Sequence, residues 1–144
     1  VVAPPFGEHL YAFDRASGRP SWWRPREELR YLVGRSGETL VVSGRRRVLG
    51  LEVASGKERW THRLETGRTG REVPVGRGAV ADELVFLPLR SRILVLDAAD
   101  GQARHQVHLP TLRSGELCPA GELLLTTTPY RIHGFERRLE LSTK

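Results

Sequence analysis

Cys118 is the only cysteine in the chain, which excludes an internal disulfide framework. There is no methionine, and Lys57 and Lys144 are the only lysines, so nearly all the positive charge is arginine. No apolar run approaches the roughly 20 residues that a membrane-spanning helix needs. No segment carries a sustained 3.6-residue apolar stripe, which argues against helical repeats. "RPREELRYLV" comes nearest, and Pro25 and its short length weaken it as a helix. The glycine-rich "GRTGREVPVGRG" lacks the Gly-Lys-Ser/Thr ending and the strand-to-helix setting of a phosphate-binding loop. The chain opens on "VVAPP" with no Met, so we expect that its true N-terminus lies elsewhere and give the missing secretory signal no weight.

What remains is a soluble, globular profile. The 144 residues are 39% hydrophobic and 28% charged, enough for one domain with a real core. The formal net charge is +6, which admits nucleic-acid, anionic-lipid or acidic-protein partners. The same charge spread over the surface does no more than keep a protein soluble.

One phrase recurs at intervals of about 40 residues, as repeat architectures require. It reads "FDRASGRPSW" from Phe13, "LEVASGKERW" from Leu51 and "LDAADGQARH" from Leu96. Each copy places an acidic residue (Asp14, Glu52, Asp97) four before a glycine (Gly18, Gly56, Gly101), and Trp22, Trp60 or His105 four after it. A fourth, partial copy, "GELLLTTTPYRIHGFE", reaches Glu136 and has Glu140 where the glycine would stand. The chain therefore holds about three and a half units.

Each unit reads as strands. "TLVVSG", "LVFLPL" and "LLLTTT" are short β-branched and leucine-rich runs. "RVLGLEV", "RILVLDA" and "RIHGFE" follow, and the apolar stretch Ile93–Leu96 has no polar face, so these strands are expected to be buried on both sides. "RWTHRL" and "RHQVHL" alternate instead, with Trp60, His62 and Leu64, or His105, Val107 and Leu109, on one face; that is a half-exposed outer strand. The repeated phrase is then the turn between the buried strand and the outer one. Its carboxylate accepts turn N–H groups, its glycine supplies positive φ, and its tryptophan covers the junction with the next sheet. Four-stranded sheets with doubly buried central strands pack radially. The expected fold is all-β: a β-propeller of about three and a half to four four-stranded blades spanning 1–144, with blade boundaries near 30, 72 and 114, and part of a larger ring. Further blades, from the same parent chain or a second copy, are expected partners.

At these residues the chain resembles the pyrroloquinoline-quinone-like propeller repeat, roughly L-x-A-x-D-x-x-T-G-x-x-x-W. Ser17 and Ser55 stand at the Thr position and Asp100 departs from it; Gly50 and Val95 depart at the Ala, and His105 at the Trp. The resemblance implies either a quinone-dependent dehydrogenase or a non-catalytic propeller, such as the outer-membrane barrel-assembly lipoprotein or a kinase-attached sensor, and with the latter an extracytoplasmic or periplasmic setting. In the enzymes it implies a vicinal cysteine pair, calcium and an Asp base. Cys118 has no cysteine neighbour, so we expect no quinone, no metal and no catalysis.

The remaining candidates are weighed on residue chemistry. His105 and His108 lie three apart on a strand and so point to opposite faces, which suits packing better than a metal that needs three or four convergent ligands. Trp22, Trp23 and Trp60 fit blade packing better than a ligand cage. Arg68, Arg71 and Arg77 belong to an expected surface loop over 65–82. Arg45, Arg46 and Arg47 form the tip of an expected hairpin, where the third unit has "RSR" and the fourth "PYR". The fold does not demand three cations there, and guanidinium groups suit carboxylates and phosphates. Nucleic acid is disfavoured because no aromatics interleave them. The expected function is a non-catalytic scaffold that presents its loops to a macromolecular partner. The alternatives are a dehydrogenase fragment and a basic module for nucleic acid or anionic surfaces.

Overall fold

β-branched and leucine-rich runs alternate with glycine-bearing turns along the chain, and they form strands wherever the structure is described. The computed structural model describes residues 7–65, 73–109 and 115–136. These hold thirteen strands and no helix. The first sheet pairs β1 (His9–Phe13) with β2 (Pro20–Pro25). The second runs in sequence order through β3 (Leu29–Ser36), β4 (Thr39–Gly44), β5 (Arg47–Glu52) and β6 (Glu58–Arg63). The third has β7 (Ala79–Ala81), β8 (Leu84–Pro88), β9 (Arg92–Asp97) and β10 (Ala103–His108); the fourth has β11 (Glu116–Ala120), β12 (Leu123–Thr128) and β13 (Arg131–Glu136). All pairings are antiparallel between sequence neighbours. The fold is a partial β-propeller of about four blades. The innermost strands β3, β7 and β11 stand side by side.

Period-two alternation explains how the central strands are buried on both faces. Leu40, Val42, Leu49 and Leu51 pack towards the first sheet, around Leu10 and Trp22. Val41 and Val48, on the opposite faces of the same strands, join Trp60, Val85, Leu87, Leu94 and Leu96 between the second and third sheets. Ile93 and Val95 meet Leu117, Leu124 and Phe135 of the fourth sheet. Each such side chain contributes about 1.5–3 kcal/mol by leaving water.

Some expectations need correction. "RIHGFE" forms β13 but is not buried on both sides: Ile132 is 72% exposed, because no described strand lies beyond it. His105 and Val107 on β10 are exposed rather than packed, since no described outer strand of the fourth sheet covers them. The segment 65–82 is more than a surface loop. Its end carries β7, the innermost strand of the third sheet, and Gly76 and Gly78 are buried where a Cβ would meet the carbonyls of Gly115 and Phe86 at 2.9 and 2.2 Å. "RPREELRYLV" is no helix; it ends β2, turns through Glu27 at φ 49°, and becomes β3. The first sheet ends at Pro25 and the second begins at Leu29, and the boundary positions 72 and 114 lie outside the described residues.

Candidate functional site

The recurrent phrase builds the same turn three times. Gly18, Gly56 and Gly101 adopt φ of 69°, 69° and 72°, which only glycine takes at low cost. Each glycine N–H donates to the carbonyl of the acidic residue four before it, at 2.8–2.9 Å. The acidic side chain caps the turn. Asp14 accepts from the Ser17 N–H and hydroxyl, both at 2.7 Å; Glu52 accepts from the Ser55 hydroxyl; Asp97 accepts from the Ala99 N–H at 2.8 Å. Asp100 keeps one of the serine's two bonds: the Gln102 N–H donates to its carboxylate at 2.8 Å, as the Arg19 and Lys57 N–H groups donate to Ser17 and Ser55, but a carboxylate cannot donate to Asp97 as the serine hydroxyls donate to Asp14 and Glu52.

These hydrogen bonds hold the carboxyls of Asp14, Glu52 and Asp97 below their ordinary values of 3.8, 4.5 and 3.8; at Asp97 the Ala99 N–H leads and Arg104 adds to it. A carboxyl depressed by folding stabilises the fold above its unfolded pKa and loses that contribution as pH falls through the folded value. Melting temperature should therefore fall progressively from about pH 5 downward, and the Asp14→Asn/Asp97→Asn variant should show a shallower fall. Equal acid slopes for variant and parent would remove these carboxylates from the explanation.

Beyond its turn, each tryptophan reaches into the next blade. Trp22 donates its indole N–H to the Val53 carbonyl at 2.8 Å and lies against Gly56; Trp60 donates to the Ala98 carbonyl at 2.9 Å and lies against Gly101. The acceptor in both cases is the residue after the turn carboxylate. Two residues after each tryptophan a second side chain joins in. An Arg24 Nη1 donates to the Gly56 carbonyl at 3.2 Å, and His62 Nδ1 bonds the Gly101 carbonyl at 2.9 Å. Sequence reasoning missed this pair, although Arg24 and His62 hold equivalent places on the face that carries the tryptophan.

The two ends of the sheets differ in charge. The carboxylate turns share one end with the first-to-second-strand turns, joined by Val53 N–H to Glu38 and Ala98 N–H to Glu83 carbonyl bonds. Glu38, Glu52, Asp82, Glu83, Asp97, Asp100 and Glu122 lie at that end, where Arg35 pairs with Glu38, Arg59 with Glu52, and Arg104 with Asp97 and Asp100. The other end carries the hairpins β4–β5, β8–β9 and β12–β13, tied to the sheet passages by Leu64 N–H to Arg46 and Leu109 N–H to Ser91 carbonyl bonds. Arg45, Arg46, Arg63, Arg90 and Arg131 are exposed at this end.

The structure splits the arginine cluster read from the sequence. Arg45 and Arg46 form the exposed tip between β4 and β5, and neither side chain has a partner among the described residues. Arg47 has already entered β5 and pairs with Glu27 and, at 3.6 Å, with Glu28. Glu28 also accepts the Arg46 N–H at 2.8 Å. Arg47 is thus tied to the passage between the first and second sheets. Arg77 is exposed, with its N–H donating to Glu116 at 3.1 Å; Arg68 and Arg71 lie outside the described residues. Cys118 is exposed on β11. His105 pairs with Val95 and His108 with Arg92 across β9, and no cluster of three or more His, Cys, Asp or Glu occurs among the described residues. Among those residues, too, no helix is long and apolar enough to cross a membrane.

The sequence family described as outer membrane protein assembly factor BamB matches residues 2–127. Among solved structures, BamB from Moraxella catarrhalis superposes with a TM-score of 0.66 at 17% identity, covering 90% of this chain and 44% of that one. The computationally designed Ika4 protein gives 0.68 at 13% identity, covering 90% and 79%. Sqt1 from Saccharomyces cerevisiae gives 0.71 at 12% identity, covering 89% and 40%. The chain therefore spans less than half the length of the BamB and Sqt1 structures it resembles. No curated protein matches it in sequence.

Proposed function

The chain belongs to the PQQ-like repeat family described as outer membrane protein assembly factor BamB, and from that premise we propose that it is a non-catalytic propeller scaffold that presents the hairpin-tip end of its blades to an acidic protein partner. The observation that carries the reading is the pair Arg45 and Arg46, exposed at a two-residue tip with no partner for either guanidinium among the described residues. Tight turns do not require two adjacent long cations. Their mutual repulsion costs a little stability, and their planar donors match carboxylates. Arg90, at the equivalent tip of the next blade, extends the positive surface along the same end, and Arg131, the first residue of β13, is exposed there in the place that Arg47 holds on β5.

Arg45→Ser/Arg46→Ser should leave stability within about 0.5 kcal/mol, as exposed substitutions do. Capture of an immobilised polyglutamate peptide should weaken, and the loss of that capture with added salt should become less steep. Arg47→Ser should act differently. It breaks a partly exposed ion pair worth about 0–1 kcal/mol and has less effect on capture. A double variant that binds the peptide as well as the parent does, with the same salt dependence, would sink the assignment of this tip.

A further inference from the structure

The hairpins at the cationic end share a register but differ in what holds the arginine just past the tip. Arg47, Arg92 and Arg131 are the first residues of β5, β9 and β13. Arg92 donates to the Gln106 side chain of its own sheet at 2.6 Å, and Arg131 is exposed. Arg47 reaches out of its sheet instead, to Glu27 and, at 3.6 Å, to Glu28, both in the passage that leaves the first sheet. Glu28 grips the tip a second time. Its carboxylate accepts the Arg46 N–H at 2.8 Å, and its carbonyl oxygen lies so close to Gly44 that a Cβ there would be 2.9 Å away. From the other side, the Leu64 N–H donates to the Arg46 carbonyl at 2.8 Å. Glu27 has a φ of 49°, in the left-handed region that glycine takes more cheaply. The backbone therefore gains nothing from a glutamate at this position, whereas its carboxylate holds Arg47.

We infer that Glu27 and Glu28 set the charge that the tip offers. They are a built-in competitor of the acidic partner: they occupy Arg47 as that partner's carboxylates would, while Glu28 fixes the backbone from which Arg45 and Arg46 project. The inference rests on the reading of this tip as the partner contact and deepens it. Three free arginines in a row would attract polyanions by charge alone. With the third withheld and two carboxylates beside it, the tip repels weakly matched negative charge as well as attracting the right partner, which is how charge patterns create specificity. Glu27 and Glu28 thus determine how acidic a segment must be before the tip holds it.

The variant Glu27→Gly/Glu28→Gln of the full chain tests this. Glycine takes the φ at residue 27 freely, and glutamine keeps an acceptor for the Arg46 N–H, so the variant should melt close to the parent. Released, Arg47 joins Arg45 and Arg46. Capture of immobilised polyglutamate should tighten about two- to fivefold, the scale of one further exposed ion pair, and should fall more steeply with added salt. Glu27→Gln alone leaves the backbone as it is and should give part of the same gain. Losing two negative charges helps any polyanion to bind, so the same substitutions are also made beside Arg47→Ser, where the gain should be clearly smaller. No gain with Arg47 present overturns the inference, and so does an equal gain without it. If Arg45→Ser/Arg46→Ser captures polyglutamate as well as the parent does, the tip is not the contact and both readings fall. If that variant weakens capture while a freed Arg47 adds nothing, this inference falls alone.

Discussion

Replacing Trp60 with alanine is expected to destabilise the protein by about 3–5 kcal/mol, in the range of large-to-small core substitutions. Trp60 is only 8% exposed although it sits on an outer strand, the most peripheral of its sheet. Its ring lies between Gly50 on the neighbouring strand and Gly101 of the next blade; a Cβ on either would come within 2.2 and 2.4 Å of it. Removal therefore leaves a hole that neither glycine can fill. It also strands the Ala98 carbonyl, which loses its indole donor, and an unsatisfied buried acceptor adds to the cost of the cavity. Melting temperature should fall by roughly 10 °C. Trp22→Ala should cost less, because Trp22 is half-buried. Urea unfolding followed by circular dichroism measures both. If the Trp60 variant unfolds within 1 kcal/mol of the parent, the tryptophan is a covering side chain and not a blade-to-blade lock.

The turn and the tryptophan were legible in the sequence because they repeat. An acidic residue, a glycine and a tryptophan at fixed offsets have a local physical meaning, and the structure places them as that meaning requires. Direction was harder to read. That Trp60 docks on Gly101 and not on its own turn depends on how neighbouring blades stack, and no local spacing encodes that. Gly50, a departure from the repeat's alanine, becomes intelligible only beside the ring it accommodates. The inner strands were the least legible part. β7 is three residues long and lies in a glycine-rich segment, so neither alternation nor β-branching announces it. Arg47 was misplaced with its two neighbours because the carboxylates that hold it, Glu27 and Glu28, come from another sheet passage.

The third and fourth units lose both halves of the docking pair at the same junction. His105 stands at the tryptophan position and is exposed, Val107 replaces the Arg24 and His62 donors, and the sequence has Glu140 at the glycine position. Val95 then fills the place opposite His105 that Gly50 leaves open opposite Trp60. This junction carries the apolar contacts of Ile93, Val95, Leu117, Leu124 and Phe135 and two hydrogen bonds near its inner strands, Arg77 N–H to the Glu116 carboxylate at 3.1 Å and Leu117 N–H to the Arg77 carbonyl at 3.3 Å. The junctions on either side of the second sheet add two directed hydrogen bonds each. Tryptophan docking thus stiffens both junctions of the second sheet, while burial and the hydrogen bonds of Arg77 join the third sheet to the fourth.

Gly101→Val is expected to be at least as damaging as loss of the tryptophan, at roughly 4 kcal/mol or more. Two costs combine at this position. The backbone φ of 72° is one that a β-branched residue adopts only under strain, and the new Cβ would lie 2.4 Å from Trp60 Cε3 and 2.7 Å from Cδ2. The ring cannot stay, so its burial, its bond to Ala98 and the His62 bond to the Gly101 carbonyl go with it. Gly18→Val separates the two costs. Its φ of 69° is nearly the same, but no described residue lies within 4 Å of the added atom, so it should show the backbone strain alone, about 1–2 kcal/mol. The double variant Gly101→Val/Trp60→Ala should be far less than additive, because the clash disappears with the ring. Additive losses in that pair, or equal losses for Gly18→Val and Gly101→Val in urea titrations, would show that the turn matters only for its backbone and that the tryptophan contributes nothing through it.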